Sequence, residues 1–467
     1  MSKRIMIAGT SSGCGKTTIS CALLAALSSM GKDLVSFKCG PDYIDPMFHK
    51  KTSGVESRNL DVFLMGEQAV KYCLAHHSEG REIAVLEGVM GLYDGLGSGS
   101  YASSNHVSLL TNTPVILAVN AKGASLSLCA IIKGFMEFET NNIRGVILNN
   151  VSESLYLFYK AMIEERLNIR VIGFMPHIPE AQIESRHLGL ITADEITDIK
   201  EKLHALGECA IKSIDMEALL DIASGAGPLD CEAFYLPVLK NDNTVKLYIA
   251  HDKAFSFWYE DNHDLFTALG AEIRFFSPIR DNSLPDDADG LVLWGGYPEI
   301  YAKELEANID MRRSLKSAIE SRLPVYAECG GFMYLQQRLT VYSAEIRQDR
   351  GSPPDLQGDT YEMIGVLPGS IKMTQKLQNF GYYEIKAQKD NLMCKEGDTI
   401  NAHFFHHSVS DNEGDCFNAV KQNSNSFPCI VSEGNIFAGY QHLHFWGNPD
   451  FAVNFINECV RYRREAK

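Results

Sequence analysis

The chain lacks both a long apolar run and an excess of basic residues. No stretch of eighteen or more apolar residues occurs, and the apolar run near the N-terminus is short, so we expect neither a membrane span nor a signal peptide. Lys and Arg number 43 against 59 Asp and Glu, which gives a formal net charge of −16. Nucleic acid and anionic membranes attract basic surfaces, so we expect neither as a partner. A local basic pocket for an anionic small substrate stays compatible with this charge.

Cys-x-x-Cys pairs are also missing, although the chain has 12 cysteines. Disulfide frameworks are typical of short secreted chains, and zinc sites need closely spaced ligands. We therefore predict thiols that are mostly buried, in a protein of the reducing cytoplasm. Cys329 is the exception, for reasons given below.

The length and the pattern of the chain predict two α/β domains. At 467 residues the chain is too long for one ordinary core. Short apolar runs alternate with segments of helical periodicity, which is typical of a mostly parallel sheet covered by helices. Gly, Pro and Asn are frequent around residue 230, so we predict one domain at residues 1–224, a linker at 225–243 and a second domain at 244–467. In the first domain, strands are predicted at residues 4–8, 34–38, 83–86, 115–120, 144–149 and 171–174.

The second domain is predicted to begin with the same alternation. Strands are predicted at residues 245–250, 272–276, 290–293 and 325–327, and helices at 261–270 and 304–321. A polar insertion at residues 347–360 follows. Antiparallel strands are then predicted near residues 365–367, 381–385, 399–405 and 436–440.

A glycine-rich loop follows the first strand and precedes a helical segment. It reads GTSSGCGKTT at residues 9–18. Backbone N–H groups in such a loop can face a phosphate chain, its lysine can reach the terminal phosphates, and the next hydroxyl can bind Mg²⁺. Five residues separate Gly9 from Gly15, where four are usual, and a glycine-rich turn without a ligand is the alternative. We predict an ATP site whose binding residues are Gly13, Gly15, Lys16, Thr17 and Thr18.

Two acidic segments at strand ends can supply the metal ligands that this site needs. Residues 38–46 read KCGPDYIDP, and residues 87–95 read EGVMGLYDG. Carboxylate oxygens suit Mg²⁺ that bridges ATP phosphates. Taken alone, each Asp is more often the cap of a turn. Beside a phosphate loop, we interpret them as a metal site formed by Thr17, Asp42, Glu87 and Asp94.

A second reactive site is predicted around Cys329. The run PVYAECGG at residues 324–331 places this cysteine at a sharp turn after an apolar strand, as in a nucleophile elbow. Ordinary packing of the thiol is the alternative. The backbone N–H groups that can form an oxyanion hole are those of Gly295, Gly296 and Gly330. A histidine base is required, and two clusters offer one: His403, His406 and His407, or His442 and His444.

Taken in order, these motifs resemble those of known proteins. The N-terminal half resembles the dethiobiotin-synthetase-like P-loop domain, and the C-terminal half resembles a class I glutamine amidotransferase domain of the cobyric-acid-synthase type. Over nearly the whole chain, the order resembles that of the cobyrinate a,c-diamide synthase family. The matching segments are FKCGPDYIDP (37–46), EGVMGLYDG (87–95), RHLGL (186–190), GGYPE (295–299), ECGG (328–331) and YQHLHF (440–445).

This resemblance implies an activity. It implies amidation of the a and c acetate side chains of a corrin, an anionic tetrapyrrole, with ATP, L-glutamine and Mg²⁺. ATP would convert a carboxylate into an acyl phosphate, and ammonia released from glutamine at Cys329 would displace the phosphate. Tyr43 and Asp45 are implied to lie near the acceptor carboxylate, with Asp45 as an alternative metal ligand. The resemblance is compatible with a homodimer.

The resemblance also selects His442 as the base. Class I amidotransferases carry His-x-Glu, and the corresponding triplet here is His442, Leu443 and His444. Accordingly, no glutamate is expected to orient His442. A further departure lies at residues 402–408, which read AHFFHHS where the family has Gly-His-Glu-Phe-His-Tyr-Ser, so that Phe404 replaces a glutamate.

Two other functions stay open. A nickel-sirohydrochlorin a,c-diamide synthase is built from the same motifs and differs in the ring that it amidates. A nucleotide-dependent switch related to the partitioning ATPases, with a vestigial C-terminal lobe, is the alternative from another class. Such switches often carry a second lysine early in the loop, where this chain has Ser11.

Overall fold

The computed structural model of the chain describes residues 2–178, 185–186, 189–190, 198–232, 234, 244–342, 358–421 and 426–465. The chain divides into two compact units, Met1–Phe234 and Tyr235–Lys467. The division falls inside the segment predicted as a linker, of which residues 233 and 235–243 lie outside the described residues.

The first unit contains a parallel sheet. Its strands are β1 Lys3–Gly9, β2 Leu34–Cys39, β3 Ser57–Leu60, β4 Ile83–Glu87, β5 Val115–Asn120, β6 Ile143–Asn149 and β7 Arg170–Met175; β8 Ser185–Arg186 and β9 Gly189–Leu190 form a separate ribbon. Within the described residues the order is β3-β2-β4-β1-β5-β6-β7. The strands are nearly continuous buried runs, as expected for a parallel sheet with both faces covered.

Nine helices accompany this sheet in the described part of the first unit. They are α1 Lys16–Ser29, α2 Ile44–Ser53, α3 Val62–Met65, α4 Glu67–Ser78, α5 Ser104–Leu110, α6 Ser127–Glu137, α7 Glu153–Leu167, α8 Ile199–Ser213 and α9 Met216–Ser224. Helix α1 is buried along its apolar residues and packs against α8. The two helices approach closely at Gly207, where a Cβ atom would lie 2.7 Å from the Cβ of Ala25.

The register of the central strands gathers polar residues at one edge of this sheet. Strand β4 pairs with both β1 and β2, so that Glu87 lies opposite Ile7 on one side and Lys38 on the other. The loop after β1 therefore starts beside the last residue of β4. Ligands bind at this carboxyl edge in open α/β sheets.

The second unit contains two sheets. Its strands are β10 Val245–Ala250, β11 Ala271–Phe276, β12 Gly290–Leu293, β13 Val325–Glu328, β14 Arg338–Val341, β15 Asp359–Glu362, β16 Ser370–Ala387, β17 Thr399–Ser410, β18 Phe417–Val420, β19 Phe427–Cys429, β20 Ile436–Gly439 and β21 Gln441–Leu443. One sheet is parallel, in the order β11-β10-β12-β13-β20. The other is mostly antiparallel, in the order β15-β14-β16-β17-β21, with β18 and β19 beside β16.

The described helices of this unit are α10 Glu260–Ala268, α11 Ala302–Ala307, α12 Ile309–Glu320, α13 Gly330–Leu335 and α14 Asp450–Glu465. Strand β13 ends at the residue before Cys329, and α13 begins at the residue after it. Strand β20 leads directly into β21, which carries His442. The junction between the two sheets thus brings the cysteine and this histidine into one region of the unit.

The α/β fold class predicted from the sequence is confirmed, with several local corrections. The predicted helix at residues 304–321 is two helices, because the Asn308 side chain accepts a hydrogen bond from Met311 N–H and starts α12. The strand predicted near 365–367 is a turn in which Gly365 has a φ of 71°. Strand β20, predicted as antiparallel, pairs in parallel with β13. The strands that were missed are β3, β8, β9, β14, β15, β18, β19 and β21. Residues 347–357 of the predicted insertion lie outside the described residues.

Among the described residues, no helix has both the length and the apolar character required to cross a membrane. All twelve cysteines are free.

Candidate active sites

The glycine-rich loop joins β1 to α1 and takes a conformation that favours glycine at two positions. Gly13 and Gly15 have φ values of 72° and 103°, in the left-handed region. A Cβ atom on Gly15 would also lie 1.9 Å from Nδ2 of Asn149, and that amide donates a 2.9 Å hydrogen bond to the carbonyl of Cys14. The loop is thus held against the end of β6, with the N-terminus of α1 after it, as phosphate binding requires.

The first turn of α1 contains Lys16, Thr17 and Thr18. Lys16 is buried, and its ammonium donates a 3.0 Å hydrogen bond to the carbonyl of Ser11 in the same loop. Burial lowers the pKa of Lys16. The ammonium is therefore placed at the loop itself, and contact of these residues with a nucleotide stays a prediction.

A buried cluster of charged side chains faces this turn. The Thr17 hydroxyl donates a 2.7 Å hydrogen bond to Oε1 of Glu87 and lies 3.4 Å from Oδ1 of Asp45. Nζ of Lys38 lies 2.5 Å from Oδ2 of Asp45 and 2.8 Å from Oε1 of Glu87. Nε2 of His49 lies 2.8 Å from Oε2 of Glu87. Strand pairing sets Lys38 opposite Glu87, and α2 brings Asp45 and His49 to them.

The pKa values of the two carboxylates in this cluster are shifted in opposite directions. Burial opposes the charge of Glu87, yet Lys38 and His49 together lower its pKa well below the ordinary value. Burial raises the pKa of Asp45 well above its ordinary value, and the negative charges of Asp42 and Glu87 add to this, although Lys38 opposes it. Burial likewise opposes the charge of Lys38, but the two carboxylates hold its pKa well above the ordinary value. Glu87 is therefore the stable anion, and ionised Asp45 is the costly one.

Asp42 and Asp94, two of the predicted metal ligands, both cap backbone turns. Oδ1 of Asp42 accepts hydrogen bonds from Ile44 N–H at 2.8 Å and Asp45 N–H at 3.2 Å, at the start of α2. Oδ2 of Asp94 accepts one from Gly91 N–H at 2.7 Å. The aspartate beside the Thr17 hydroxyl is instead Asp45, which was predicted as the alternative ligand. A metal role for Asp42 and Asp94 stays a prediction.

Lys38 and His49 belong to this cluster, and the sequence reasoning gave neither a role. Lys38 belongs to the same predicted acidic segment as Asp42, so its position at the end of β2 was a usable signal. Nothing in the sequence marks His49. Tyr43 directly precedes α2, and its placement near an acceptor carboxylate stays a prediction.

In the second unit, Cys329 occupies a strained turn between β13 and α13. Its φ and ψ are 47° and −104°, which is rare for a residue with a side chain. The two glycines that follow are required by crowding. A Cβ atom on Gly331 would lie 2.0 Å from the carbonyl oxygen of Leu293, and one on Gly330 would lie 3.0 Å from the backbone nitrogen of Gly296. The turn has the geometry of the predicted elbow, while the role of the thiol stays a prediction.

Of the two histidine clusters, the structure places His442 against Cys329, and the two side chains are hydrogen-bonded. The expectation that no glutamate orients this histidine is wrong. Oε1 of Glu328 lies 3.1 Å from Nδ1 of His442, and both side chains are almost fully buried. Burial lowers the pKa of His442, but Cys329 and Glu328 outweigh this and raise it to about 10. The sequence signal that could have predicted this contact was Glu328, which directly precedes Cys329.

The three glycines of the predicted oxyanion hole lie in the same region. A Cβ atom on Gly295 would lie 3.0 Å from Cε1 of His442, and the Gly295 carbonyl accepts hydrogen bonds from Ser256 and Phe257 N–H at 3.1 Å each. The backbone nitrogen of Gly296 lies beside Gly330, as given above. Their use by an oxyanion stays a prediction.

His403, His406 and His444 differ from His442 in charge. Burial lowers the pKa of His403 and of His406 to about 3, and that of His444 to about 4. His406 stacks on Tyr440 with ring centroids 3.7 Å apart, and its Nδ1–H donates to the Ser408 carbonyl at 2.9 Å. These three rings are neutral at physiological pH, so they cannot donate a proton as a charged imidazolium, which His442 can do.

Two family models match the chain, one in each unit. Residues 5–190 match the CobQ/CobB/MinD/ParA nucleotide binding domain, and residues 246–450 match the CobB/CobQ-like glutamine amidotransferase domain. The cobyrinate a,c-diamide synthase of Clostridium tetani is 41% identical over 455 residues, which cover 96% of this chain and 98% of that protein. The chain belongs to the cobyrinate a,c-diamide synthase family. It is a carbon–nitrogen ligase that takes its amido nitrogen from glutamine and has a nucleotide-binding domain.

Other relatives give the same family. The cobyrinate a,c-diamide synthase of Clostridium acetobutylicum is 38% identical, covering 97% of this chain and 100% of that protein. That of Thermoplasma volcanium is 36% identical, covering 99% and 98%. Among solved structures, PurLQS from Thermotoga maritima covers 47% of this chain and 100% of that chain, at 15% identity and a TM-score of 0.33, which is too low to support an argument.

Proposed function

We propose that this protein amidates the a and c acetate carboxylates of cobyrinate, in cobalamin biosynthesis, using ATP and glutamine. The observation that carries the proposal is that one chain contains two such sites. In one, Thr17 after the phosphate loop contacts Asp45 and Glu87. In the other, Cys329 in a strained turn is hydrogen-bonded to His442. The relatives named cobyrinate a,c-diamide synthase, matched over almost their whole length, support the choice of ring.

Glutamine would be hydrolysed in the second unit. The Cys329 thiolate attacks the side-chain amide carbon of glutamine, and the oxyanion is stabilised by N–H groups from Gly295, Gly296 and Gly330. The carbon–nitrogen bond breaks as His442, in its charged form, gives a proton to the departing nitrogen, which leaves as ammonia. Neutral His442 then takes a proton from water, whose oxygen attacks the thioester and releases glutamate and the thiolate.

The first unit would activate the acceptor. An oxygen of the ring carboxylate attacks the γ-phosphorus of ATP, ADP leaves, and an acyl phosphate forms. Lys16 neutralises charge on the phosphates, and Asp45 and Tyr43 lie near the acceptor. Ammonia attacks the acyl carbon, the carbon–oxygen bond breaks, phosphate leaves and the amide gives up a proton. Two rounds convert both acetates.

The residues around Thr17 fit Mg²⁺. The Thr17 hydroxyl and the carboxylates of Glu87 and Asp45 offer hard oxygen donors within 3.4 Å of the hydroxyl. When bound, Mg²⁺ supplies charge neutralisation on the phosphates. Asp42 and Asp94 are retained as further candidates. The raised pKa of Asp45 also fits, because a cation there would offset the cost of burying this carboxylate and its repulsion by Asp42 and Glu87.

One departure from the family pattern bears on the choice of ring. Phe404 stands where the family has a glutamate, and it is buried against Tyr383 and Phe427. Whatever that glutamate contributes near the substrate is absent here, so nickel-sirohydrochlorin is kept as the alternative ring. The nucleotide-switch alternative is disfavoured by the glutamine-using ligase class and by the Cys329–His442 contact.

The oligomeric state and the compartment are proposals of the same kind. We propose a homodimer and a cytoplasmic location, where ATP, glutamine and reduced thiols are all present. Light scattering of the purified protein and cell fractionation test them.

Mass spectrometry tests the function. Cobyrinate and nickel-sirohydrochlorin are incubated side by side with the enzyme, Mg-ATP and amide-¹⁵N glutamine. Two labelled amides on cobyrinate support the proposal. A clear preference for nickel-sirohydrochlorin changes the ring and keeps the chemistry. No labelled product from either ring contradicts the proposed substrates.

A further inference from the structure

Both carboxylate oxygens of Glu328 have a fixed partner. Oε1 lies 3.1 Å from Nδ1 of His442. Oε2 accepts a 2.7 Å hydrogen bond from the Tyr326 hydroxyl and lies 3.4 Å from Leu443 N–H. The Glu328 side chain is 1% exposed. A carboxylate with both oxygens bonded in a buried site cannot rotate freely, so its direction toward the imidazole is set.

The environment of Tyr326 keeps its hydroxyl a donor to Oε2 of Glu328. It lies two residues before Glu328 in β13, so the two side chains share one face of the strand. Its ring is fully buried against Trp294, Phe437 and Phe445. Burial, reinforced by the negative Glu328, raises the pKa of Tyr326 well above its ordinary value. The hydroxyl therefore stays protonated and remains a donor.

The position that carries the glutamate in other class I amidotransferases cannot serve here. His444 occupies it, is fully buried, and has its pKa lowered by burial to about 4. Its ring packs on Tyr259 with centroids 4.9 Å apart. A neutral imidazole in that place gives no negative charge to His442.

We propose that Glu328, held by Tyr326, is the residue that positions His442 for glutamine hydrolysis, taking the part of the glutamate that other class I amidotransferases carry two residues after the histidine. The proposal rests on the proposed role of Cys329 as the nucleophile. The Nδ1–H of His442 donates to Glu328, which leaves Nε2 to face the thiol and the departing nitrogen. Because Glu328 directly precedes Cys329, one strand end fixes both the nucleophile and the orientation of its base.

The strand pairing shows how the chain achieves this. Glu328 pairs with Gly439 in β20, and Cys329 N–H donates to the Gly439 carbonyl at 2.8 Å. The chain then passes through Tyr440 and Gln441 to reach His442. Strand β20, which pairs with β13 at Glu328, therefore leads the chain to His442 and sets this histidine beside the Glu328 carboxylate.

The test uses Glu328→Gln and Tyr326→Phe in the full chain, with Glu413→Gln, a half-buried glutamate of the same unit, as the matched control. Glutaminase kcat and KM, the pH profile of kcat/KM and ammonia-dependent amidation are measured for each. We expect Glu328→Gln to lower glutaminase kcat by about 10²- to 10⁴-fold, the range that a positioned acid–base residue contributes. KM should change little, and Tyr326→Phe should lower kcat by about tenfold. Ammonia-dependent amidation should be unchanged in all three.

The pH profile separates positioning from folding. The groups that face His442 are Cys329 and Glu328 from β13 and its turn, and His403 and His406 from β17, which stay neutral. Loss of the Glu328 charge removes one cause of the raised pKa, so the upper limb of the profile should move to lower pH in Glu328→Gln and stay in place in Glu413→Gln.

Two results overturn the proposal: full glutaminase activity with an unshifted profile in Glu328→Gln, or a fall in ammonia-dependent amidation equal to the fall in glutaminase. If Glu328→Gln does not fold, Tyr326→Phe and Glu328→Asp decide in the same way, by a kcat loss with a shifted profile or by its absence. The assay of glutamine hydrolysis needs no tetrapyrrole, so a wrong ring does not affect it. Glutaminase activity in Cys329→Ala would instead refute the role of Cys329.

Discussion

The ammonium of Lys38 lies 2.8 Å from a carboxylate oxygen of Glu87, and both side chains are buried next to the phosphate loop. The same ammonium also contacts Asp45, so one cation faces two anions. His49 supplies a further donor to Glu87. The first unit therefore holds at this edge a buried charged cluster whose two carboxylates contribute to stability with opposite sign.

We predict that Glu87→Gln and Asp45→Asn have opposite effects on stability in the absence of ATP and metal. The pKa of Glu87 is lowered in the folded state, so its ionisation stabilises the fold, and Glu87→Gln should cost about 3 kcal/mol, or about 6–12 °C in Tm. The pKa of Asp45 is raised, so its ionisation costs stability, and Asp45→Asn should leave Tm unchanged or raise it at pH 8. Calorimetry of both variants measures this.

The contributions of Glu87 and Asp45 to stability should also depend on pH in opposite directions. The Glu87 contribution is present above its unfolded pKa, about 4.3, and is lost as pH falls, so Glu87→Gln should approach the parent protein in acid. The Asp45 contribution is present below about 3.9 and is lost as pH rises, so Asp45→Asn should gain on the parent from pH 4 to pH 8. The same sign for both variants at pH 8 would contradict this account.

Both sites could be found from the sequence because each depends on a short local motif. The loop at residues 9–18 and the turn at 328–331 are contiguous segments, and their glycines are required either by close neighbouring atoms or, at Gly13, by a positive φ. Most strands were predicted because buried parallel strands are continuous apolar runs. Strand β3, which reads SRNL, has no such pattern and was missed.

The contacts that complete the sites come from long-range pairing, which a single sequence does not encode locally. The sequence separates Glu328 from His442 by more than a hundred residues, and only the β13–β20 register brings them together. Asp42 and Asp45 lie close in sequence and were hard to rank, because the turn decides which of them caps the helix and which reaches Thr17. Strand β20 was assigned the wrong direction because its pattern resembles that of the antiparallel strands before it.

Lys16→Ala should separate the two half-reactions. The buried ammonium lies at the phosphate loop, so its loss should lower ATP-dependent amidation with free ammonia by about 100-fold or more, as removal of a charge-stabilising donor does. Glutaminase activity should persist, because the glutamine site lies in the other unit. Lys32→Ala, which removes a surface lysine paired with Glu82, is the control and should change neither rate. An unchanged amidation rate in Lys16→Ala would remove this lysine from the phosphate site.

Gly331→Ala should disable the nucleophile turn without touching the first unit. The added methyl group would lie 2.0 Å from the Leu293 carbonyl oxygen, so the turn must shift, at a cost of about 1–3 kcal/mol. We expect glutaminase activity to fall while ammonia-dependent amidation persists. Gly134→Ala in α6, where no atom lies within 4 Å, is the control and should retain both activities. Wild-type glutaminase activity in Gly331→Ala would show that the crowding does not hold the thiol.

Cys329→Ala should abolish amidation with glutamine and spare amidation with free ammonia. In the proposed glutamine reaction the thiol forms the covalent bond between the enzyme and the substrate, whereas the acyl phosphate forms in the first unit and accepts ammonia from any source. Cys209→Ala, which removes a half-buried thiol of α8, is the control and should keep both nitrogen sources. Amide formation is followed by mass spectrometry with each source in turn. If Cys329→Ala loses both activities while its Tm is unchanged, the thiol does work outside glutamine hydrolysis, and the division of labour between the two units is wrong.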